Sequence, residues 1–263
     1  MDAFKIVPPV EKKVPIVVSV PHCGIALPPE VKPQLKPDMI AFIDDTDWYV
    51  DRLYDFTPDL GITMISANYS RWVIDLNRAP GNEPLYQDGR IITDLLPTTD
   101  FLGNPLYLHA PPGPEEIARR SRLYYYPYHQ ALEQLLLDLK EEFGKAILFD
   151  AHSIRQHVPT ISPEKFPDAI LGDNNGKSAD PKFITAALQQ LKLGAWRVEH
   201  NYLFKGGHIT RRFGNPKDDI HALQLEMTKI NYMDSDEKTY EPARANKTRK
   251  ILENTFNAII DLL

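Results

Sequence analysis

The chain reads as an α/β protein whose central sheet is covered on both faces. Three observations predict this. Val14–Val20 and Ala146–Phe149 are mainly apolar runs, the pattern of strands buried in the middle of a parallel sheet. Helical stretches at 114–143, 181–191 and 240–263 separate and follow such runs, and they supply the layers that cover a sheet. The length of 263 residues suits one large domain, read as residues 1–263.

Composition narrows the function classes. A net charge of −6 argues against a nucleic-acid binder, which shows a basic excess or stripe. No apolar run approaches the ~20 residues that span a bilayer, so no membrane association is expected. The N-terminus lacks a signal-peptide core. Cys23 is the single cysteine, which excludes an internal disulfide and suits a reducing cytoplasm.

Taken in order, Val14–Val20 is the first buried strand. Pro21-His22-Cys23-Gly24 ends it, because proline cannot continue a central ladder and Gly24 permits a tight turn. His22 therefore stands at a strand exit. Ile43–Tyr54 starts with Asp44, Asp45 and Asp47 and runs into a helical pattern. Capping by Asp44, Asp45 or Thr46 uses one or two of these carboxylates and leaves an excess. Ile62–Ser66 and Ser70–Arg78 read as two further strands. Arg71 begins the second, and Asn77 and Arg78 end it with donors suited to a carboxylate. Residues 79–113, rich in Pro, Gly, Asp and Thr without a sustained period, read as a lid over a site. Pro114 opens a helix with Glu115 and Glu116 in its first turn. It kinks at Pro127 and stops at Gly144, with Leu132, Leu135, Leu136 and Leu139 as its core stripe.

Ile147–Ile154 is the stretch around which the rest is organised. Its apolar half ends in Asp150, His152 and Ser153, where open α/β sheets bind ligands. Asp150 and His152 point to the same side of an extended chain. Either one holds a metal or proton while the other orients it, or the two simply close the strand end as a bonded pair. Ala169–Asp173 and Trp196–His200 are short strands, and Pro181–Leu191 is a helix capped by Asp180. Lys205–Gly214 supplies Lys205, His208, Arg211 and Arg212 in a glycine-containing loop unlike a phosphate-binding one. The strand His221–Met227 sets Glu226 among apolar neighbours, where a carboxylate needs a partner. That partner is a metal-activated water or an ion pair to Arg211, Arg212 or Lys205. Tyr240–Leu263 is a closing amphipathic helix.

Strand exits thus gather two histidines, an acidic cluster, two arginines and an isolated glutamate. A catalytic zinc takes three protein ligands and leaves one position open; His22, His152 and one of Asp45 or Asp47 meet that count. The expected cofactor is a divalent metal ion, zinc by its donors, with Glu226 moving the proton.

Ser19–Gly24, Asp45–Trp48, Ser70–Arg78, Phe149–Ser153, Phe204–Arg211 and Leu223–Glu226 resemble, in order, the motifs of the N-formylglutamate amidohydrolases. The resemblance implies a mixed, mostly parallel sheet flanked by helices, similar to the zinc carboxypeptidases and aspartoacylases (phosphorylase/hydrolase-like). It implies hydrolysis of a small molecule, N-formyl-L-glutamate, to formate and L-glutamate, the last step of one histidine-degradation route. It makes His22 and His152 metal ligands, Glu226 the catalytic glutamate, and Arg71 the group that polarises the scissile carbonyl. Asp75-Leu76-Asn77-Arg78 becomes a clamp on the substrate carboxylate, with Asn77 and Arg78 as its donors and Arg211 and Lys205 joining the substrate-binding set. The chain departs from the carboxypeptidase His-x-x-Glu pattern, because Ile25 stands where the acid would be. The metal carboxylate then comes from the 44–47 cluster, with Asp47 preferred and Asp45 the alternative. Deacylation of another N-acyl amino acid, and metal-free amino-acid binding on the same fold, are the competing expectations.

Overall fold

The computed structural model describes residues 1–81 and 94–263. Among these, seven strands form one sheet: β1 Phe4–Val7, β2 Ile16–Val20, β3 Thr63–Ala67, β4 Ala146–Ile154, β5 Ala169–Gly172, β6 Val198–His200 and β7 Ile220–Thr228. Their spatial order is β1-β3-β2-β4-β7-β5-β6. β3, β2, β4 and β7 are mutually parallel, β1 and β5 run antiparallel to β3 and β7, and β6 is parallel to β5. The sheet is mixed and mostly parallel, as the sequence led us to expect.

The helices are α1 Pro37–Ile40, α2 Val50–Leu53, α3 Pro114–Arg120, α4 Tyr126–Phe143, α5 Pro181–Leu193, α6 His208–Phe213 and α7 Pro242–Ile260. Leu53, Phe183, Leu191, Leu252 and Phe256, from α2, α5 and α7, share a core with Val18, Phe149, Leu171, Leu223 and Leu225. Leu132, Leu136, Leu139, Ile209 and Phe213, from α4 and α6, form the other core with Val17, Leu148 and Ala222. Each such buried Leu or Phe side chain contributes roughly 1.5–3 kcal/mol. The period of two sorts β4 cleanly: Ile147, Phe149 and Ala151 face the first core, Ala146 and Leu148 the second. Asp150 and His152 therefore point to the α4/α6 side.

Four elements differ from the sequence reading. Ser70–Arg78 is not a strand; residues 71–78 are turns and irregular backbone, buried up to Asn77. The apolar run Trp72-Val73-Ile74 imitates a strand, but local side-chain bonds fold it over. Ser70 Oγ accepts from the Trp72 N–H and Asp75 Oδ1 from the Asn77 N–H, and such bonds compete with a ladder. The helix expected over 43–54 shrinks to α2, whose N-cap is Tyr49 at φ 62 with no side-chain cap. β4 does not end at Phe149 but continues through Ile154. β1, short and only half-buried, pairs along β3 at the edge and gave no clear signal in the sequence.

The long helix changes pitch at one π turn, Ser121–Tyr125, between α3 and α4. That break puts Pro127 in the first turn of α4, where its missing N–H leaves no bond unmade. Gly144, at φ 76, ends α4 by donating its N–H to Lys140 O, the left-handed stop glycine favours. Of the lid expected over 79–113, residues 82–93 lie outside the described residues. Beyond them Leu95, Leu96, Leu106 and Tyr107 are buried, the last two in a cluster with Val31, Leu35 and Trp72. No described helix is long and apolar enough to cross a membrane.

Candidate active site

The sheet register builds the floor of the site. Ser19 of β2 pairs with Asp150 of β4, while Asp150 and His152 pair with Gln224 and Glu226 of β7. Register partners share a face, so Ser19, Asp150, His152, Gln224 and Glu226 lie together at the carboxyl ends of three adjacent parallel strands. His22 lies just beyond β2. Its carbonyl accepts the Asp47 N–H at 2.9 Å, which brings the acidic loop over the strand ends.

His22, Asp47 and His152 form a buried group whose ligand atoms all lie within 4.8 Å of one another, and it can hold a metal ion. Asp47 Oδ2 is 3.1 Å from His152 Nδ1 and 3.8 Å from His22 Nδ1. The far nitrogen of each ring is taken by a different carboxylate. His22 Nε2 lies 2.8 Å from Asp75 Oδ1, and His152 Nε2 lies 2.8 Å from Asp150 Oδ2. A carboxylate accepting Nε2–H fixes the tautomer and leaves the Nδ1 lone pair for a cation. Both outer carboxylates are held in turn. Arg71 donates to Asp75 Oδ2 at 2.5 Å, and Ser19 Oγ donates to Asp150 Oδ1 at 2.9 Å, with Tyr128 Oη 3.0 Å from that hydroxyl.

The electrostatics fit a divalent cation. Asp47, Asp75, Asp150 and Glu226 are buried together, with the Arg71 guanidinium among them and Arg78 also acting on Asp75, and buried charge that is not compensated is costly. Burial opposes ionisation of Asp75, but Arg71 and His22 outweigh it and hold that carboxyl well below the usual range. Burial likewise opposes a charged His152, yet Asp150 and Asp47 on its two sides push the imidazole well above its ordinary value. Burial pushes Glu226 up to about 8, against the pull of His152. Two nitrogens and one carboxylate oxygen around an open centre suit a three-ligand cation site.

Other expected residues fall into distinct places. Asp45 is engaged elsewhere: it accepts Trp72 Nε1–H at 3.0 Å and the Phe101 N–H at 3.1 Å, and burial raises its carboxyl to about 6. Asp44 pairs with Arg155 at 2.7 Å. Arg71 is buried, with Cζ 4.6 Å above the Phe101 ring. Arg78 is half-buried and donates to Asn77 O at 3.3 Å. Asn77 is packed against His152 and Asp150. Arg211 Nε donates to Gly206 O at 2.8 Å, and Arg212 pairs with Glu133 at 3.4 Å. Neither forms an ion pair with Glu226, so the ion-pair explanation of that glutamate finds no partner among the described residues. Lys205 lies in the loop before α6, its carbonyl accepting from Asn174.

Sequence reasoning missed Ser19, Tyr128 and Gln224, and it took Asp75 only as part of a clamp. Ser19 carried a usable signal, a hydroxyl on the Val17 side of an otherwise apolar strand. The pairing of Asp75 with His22 did not, since it depends on how the 71–78 turn folds back.

Comparison with known proteins identifies the family. The profile of the N-formylglutamate amidohydrolase family matches residues 14–233. An N-formylglutamate deformylase of Pseudomonas aeruginosa is 41% identical over 252 residues, covering 94% of this chain and 93% of its own. One from Pseudomonas putida is 42% identical over 253 residues, with the same coverage. The crystal structure of an N-formylglutamate amidohydrolase from Ralstonia eutropha superposes with a TM-score of 0.84 at 24% identity, over 100% of this chain and 98% of that one. A gene product of Agrobacterium tumefaciens shares the fold at a TM-score of 0.75 and 15% identity, over 98% and 96% of the two chains. The chain belongs to the N-formylglutamate amidohydrolase family.

Proposed function

We propose that this chain hydrolyses N-formyl-L-glutamate to formate and L-glutamate with the help of one divalent cation. By its donors that cation is zinc. The observation that carries the reading is the His22–Asp47–His152 group with Glu226 beside it on the same sheet face. A bound cation supplies Lewis acidity and lowers the pKa of the attacking water. The chain's own groups do the rest. With the charge of a bound cation beside it keeping Glu226 ionised, against the burial that alone pushes its carboxyl up to about 8, the carboxylate accepts a proton from the water as its oxygen bonds to the formyl carbon. It then delivers that proton to the nitrogen as the C–N bond breaks. The Arg71 guanidinium polarises the formyl oxygen while Asp75 fixes its direction. Arg78, Arg211 and Lys205 supply the positive charge that grips the substrate's carboxylates. The reaction belongs in the cytoplasm, where the lone thiol of Cys23 stays reduced.

A panel of N-formyl, N-acetyl and N-succinyl amino acids tests the assignment. N-formyl-L-glutamate is expected to give the highest kcat/KM, with formate and glutamate released in equal amounts. A higher value for an N-acetyl or N-succinyl amino acid would move the activity to another deacylation.

A further inference from the structure

Asn77 is placed where a substrate clamp would stand, yet its amide points into the protein. The side chain is buried, with 5% exposure. Oδ1 accepts the Ile209 N–H at 2.8 Å. That backbone donor fixes which end of the amide is which. Nδ2 therefore faces the metal group, 3.3 Å from Asp150 Oδ2 and 3.0 Å from His152 Nε2. With the His152 Nε2–H given to Asp150, the Asn77 N–H goes to the same carboxylate oxygen. The backbone N–H of Asn77 donates to Asp75 Oδ1 at 2.9 Å, the oxygen that holds His22 Nε2. One residue thus touches both carboxylates that orient the two histidines.

The surroundings are shaped to keep it there. His129 Nε2 donates to Leu76 O at 2.8 Å, and the Asn77 carbonyl accepts the His208 N–H at 3.4 Å. A Cβ built on Gly207 would lie 2.4 Å from Asn77 Nδ2 and 2.6 Å from its Cγ and Oδ1. No real Cβ tolerates that approach, and the φ of Gly207 is −80. Glycine is needed here for space, not for backbone freedom.

We infer that Asn77 is a positioning residue that sets both metal-facing imidazoles through Asp75 and Asp150, and that Gly207 is the vacancy that admits it. The Asn77–Arg78 pair then divides its work, with Asn77 turned inward to the ligand framework and the substrate carboxylate assigned to Arg78. This inference rests on the metal reading above and deepens it.

Zinc affinity of the whole protein, measured by competition with a chromophoric chelator, tests it alongside KM and kcat at saturating zinc. Asn77→Ala, Asn77→Ser and Gly207→Ala are expected to weaken zinc binding by about 10–100-fold, the usual effect of losing an outer-shell partner. With zinc saturating, their KM should stay close to that of the wild type. Gly207→Ala is the sharper variant, because it removes no polar group and adds one methyl against the amide. If Asn77→Ala fails to fold, Asn77→Ser keeps a hydroxyl in the same space and decides the matter. Wild-type zinc affinity with a raised KM in any folded Asn77 variant would return Asn77 to the substrate clamp and overturn the inference. If the wild-type protein itself takes up no zinc, the metal reading and this inference fall together. If the wild type binds and the variants bind as tightly, only the positioning role fails.

Discussion

Glu226 is where burial and chemistry conflict most sharply. It sits in β7 with apolar neighbours on either side, its carboxyl pushed up to about 8 by burial, and no described cation pairs with it. Glu226→Gln keeps the shape and removes the proton acceptor. We expect kcat to fall by about 10²–10⁴-fold, with zinc content and melting temperature close to wild type. A variant that melts lower yet turns over normally per folded molecule would mean the carboxylate serves the fold alone. Arg78 gives the second test at this scale. Arg78→Lys replaces a planar fork by a point charge, and kcat/KM should drop by about 1.5–3 kcal/mol, the range for hydrogen bonds to charged groups. A substrate amidated at the gripped carboxylate should fail on the wild type in the same way; equal turnover would remove Arg78 from that role. His22, His152 and Glu226 were legible because polar groups stood out against apolar strands. Asp47 was preferred to Asp45 in the sequence, and the structure supplies the physical ground, since Asp45 is bonded to Trp72 and Phe101. The work of Asn77 was hidden, since its partners lie 73, 75 and 132 positions away in sequence.

At the scale of elements, α4, α6 and the 71–78 turn meet around His129. Its ring stacks on Tyr125 at 4.1 Å and lies 5.6 Å from the ring of His208. One nitrogen is bonded to Leu76 O, and Nδ1 has no partner. Burial lowers this imidazole to about 3 and that of His208 to about 4, against about 6.5 in an unfolded chain. The unfolded state therefore takes up the proton first. The contribution of His129 is whole above about pH 6.5 and is lost as the pH falls toward 3, by up to about 1.4 kcal/mol per pH unit, while the more exposed His208 adds a smaller, solvent-screened loss that ends near pH 4. Urea unfolding between pH 7 and 4 should show that decline, and His129→Gln, which can still donate to Leu76 O, should make it shallower. An unchanged slope would place the acid sensitivity elsewhere. The buried strands, the leucine face of α4 and its glycine stop were legible here from period and end signals. Residues 71–78 were not, because a buried turn and a buried strand share the same apolar composition. The acids of 44–47 also misled, since they bond across the chain instead of capping a helix.

For the whole molecule, the order β3-β2-β4-β7 is what matters most. It sets His22, His152 and Glu226, 204 positions apart at the extremes, within one cluster at the carboxyl ends of adjacent central strands. An α/β class with a largely parallel centre could be read from the runs and helices, but strand order and register could not, because pairing between distant strands leaves no local mark. The same arrangement concentrates Asp47, Asp75, Asp150 and Glu226 in one buried cluster, so the folded chain should be more stable with its cation than without. At free zinc about 100-fold above Kd the gain is about 2.7 kcal/mol, readable as a fall in melting temperature on chelation and recovery on adding zinc. The central claim is that this cluster is a metal-dependent hydrolytic centre. Its most direct test measures zinc per chain and formate release from N-formyl-L-glutamate side by side, in native, chelator-stripped and zinc-restored protein and in His152→Ala. The account predicts about one zinc per chain in the native protein, activity that disappears and returns with the metal, and a folded His152→Ala that has lost both. Full formate release from stripped protein, or from His152→Ala without zinc, would contradict it.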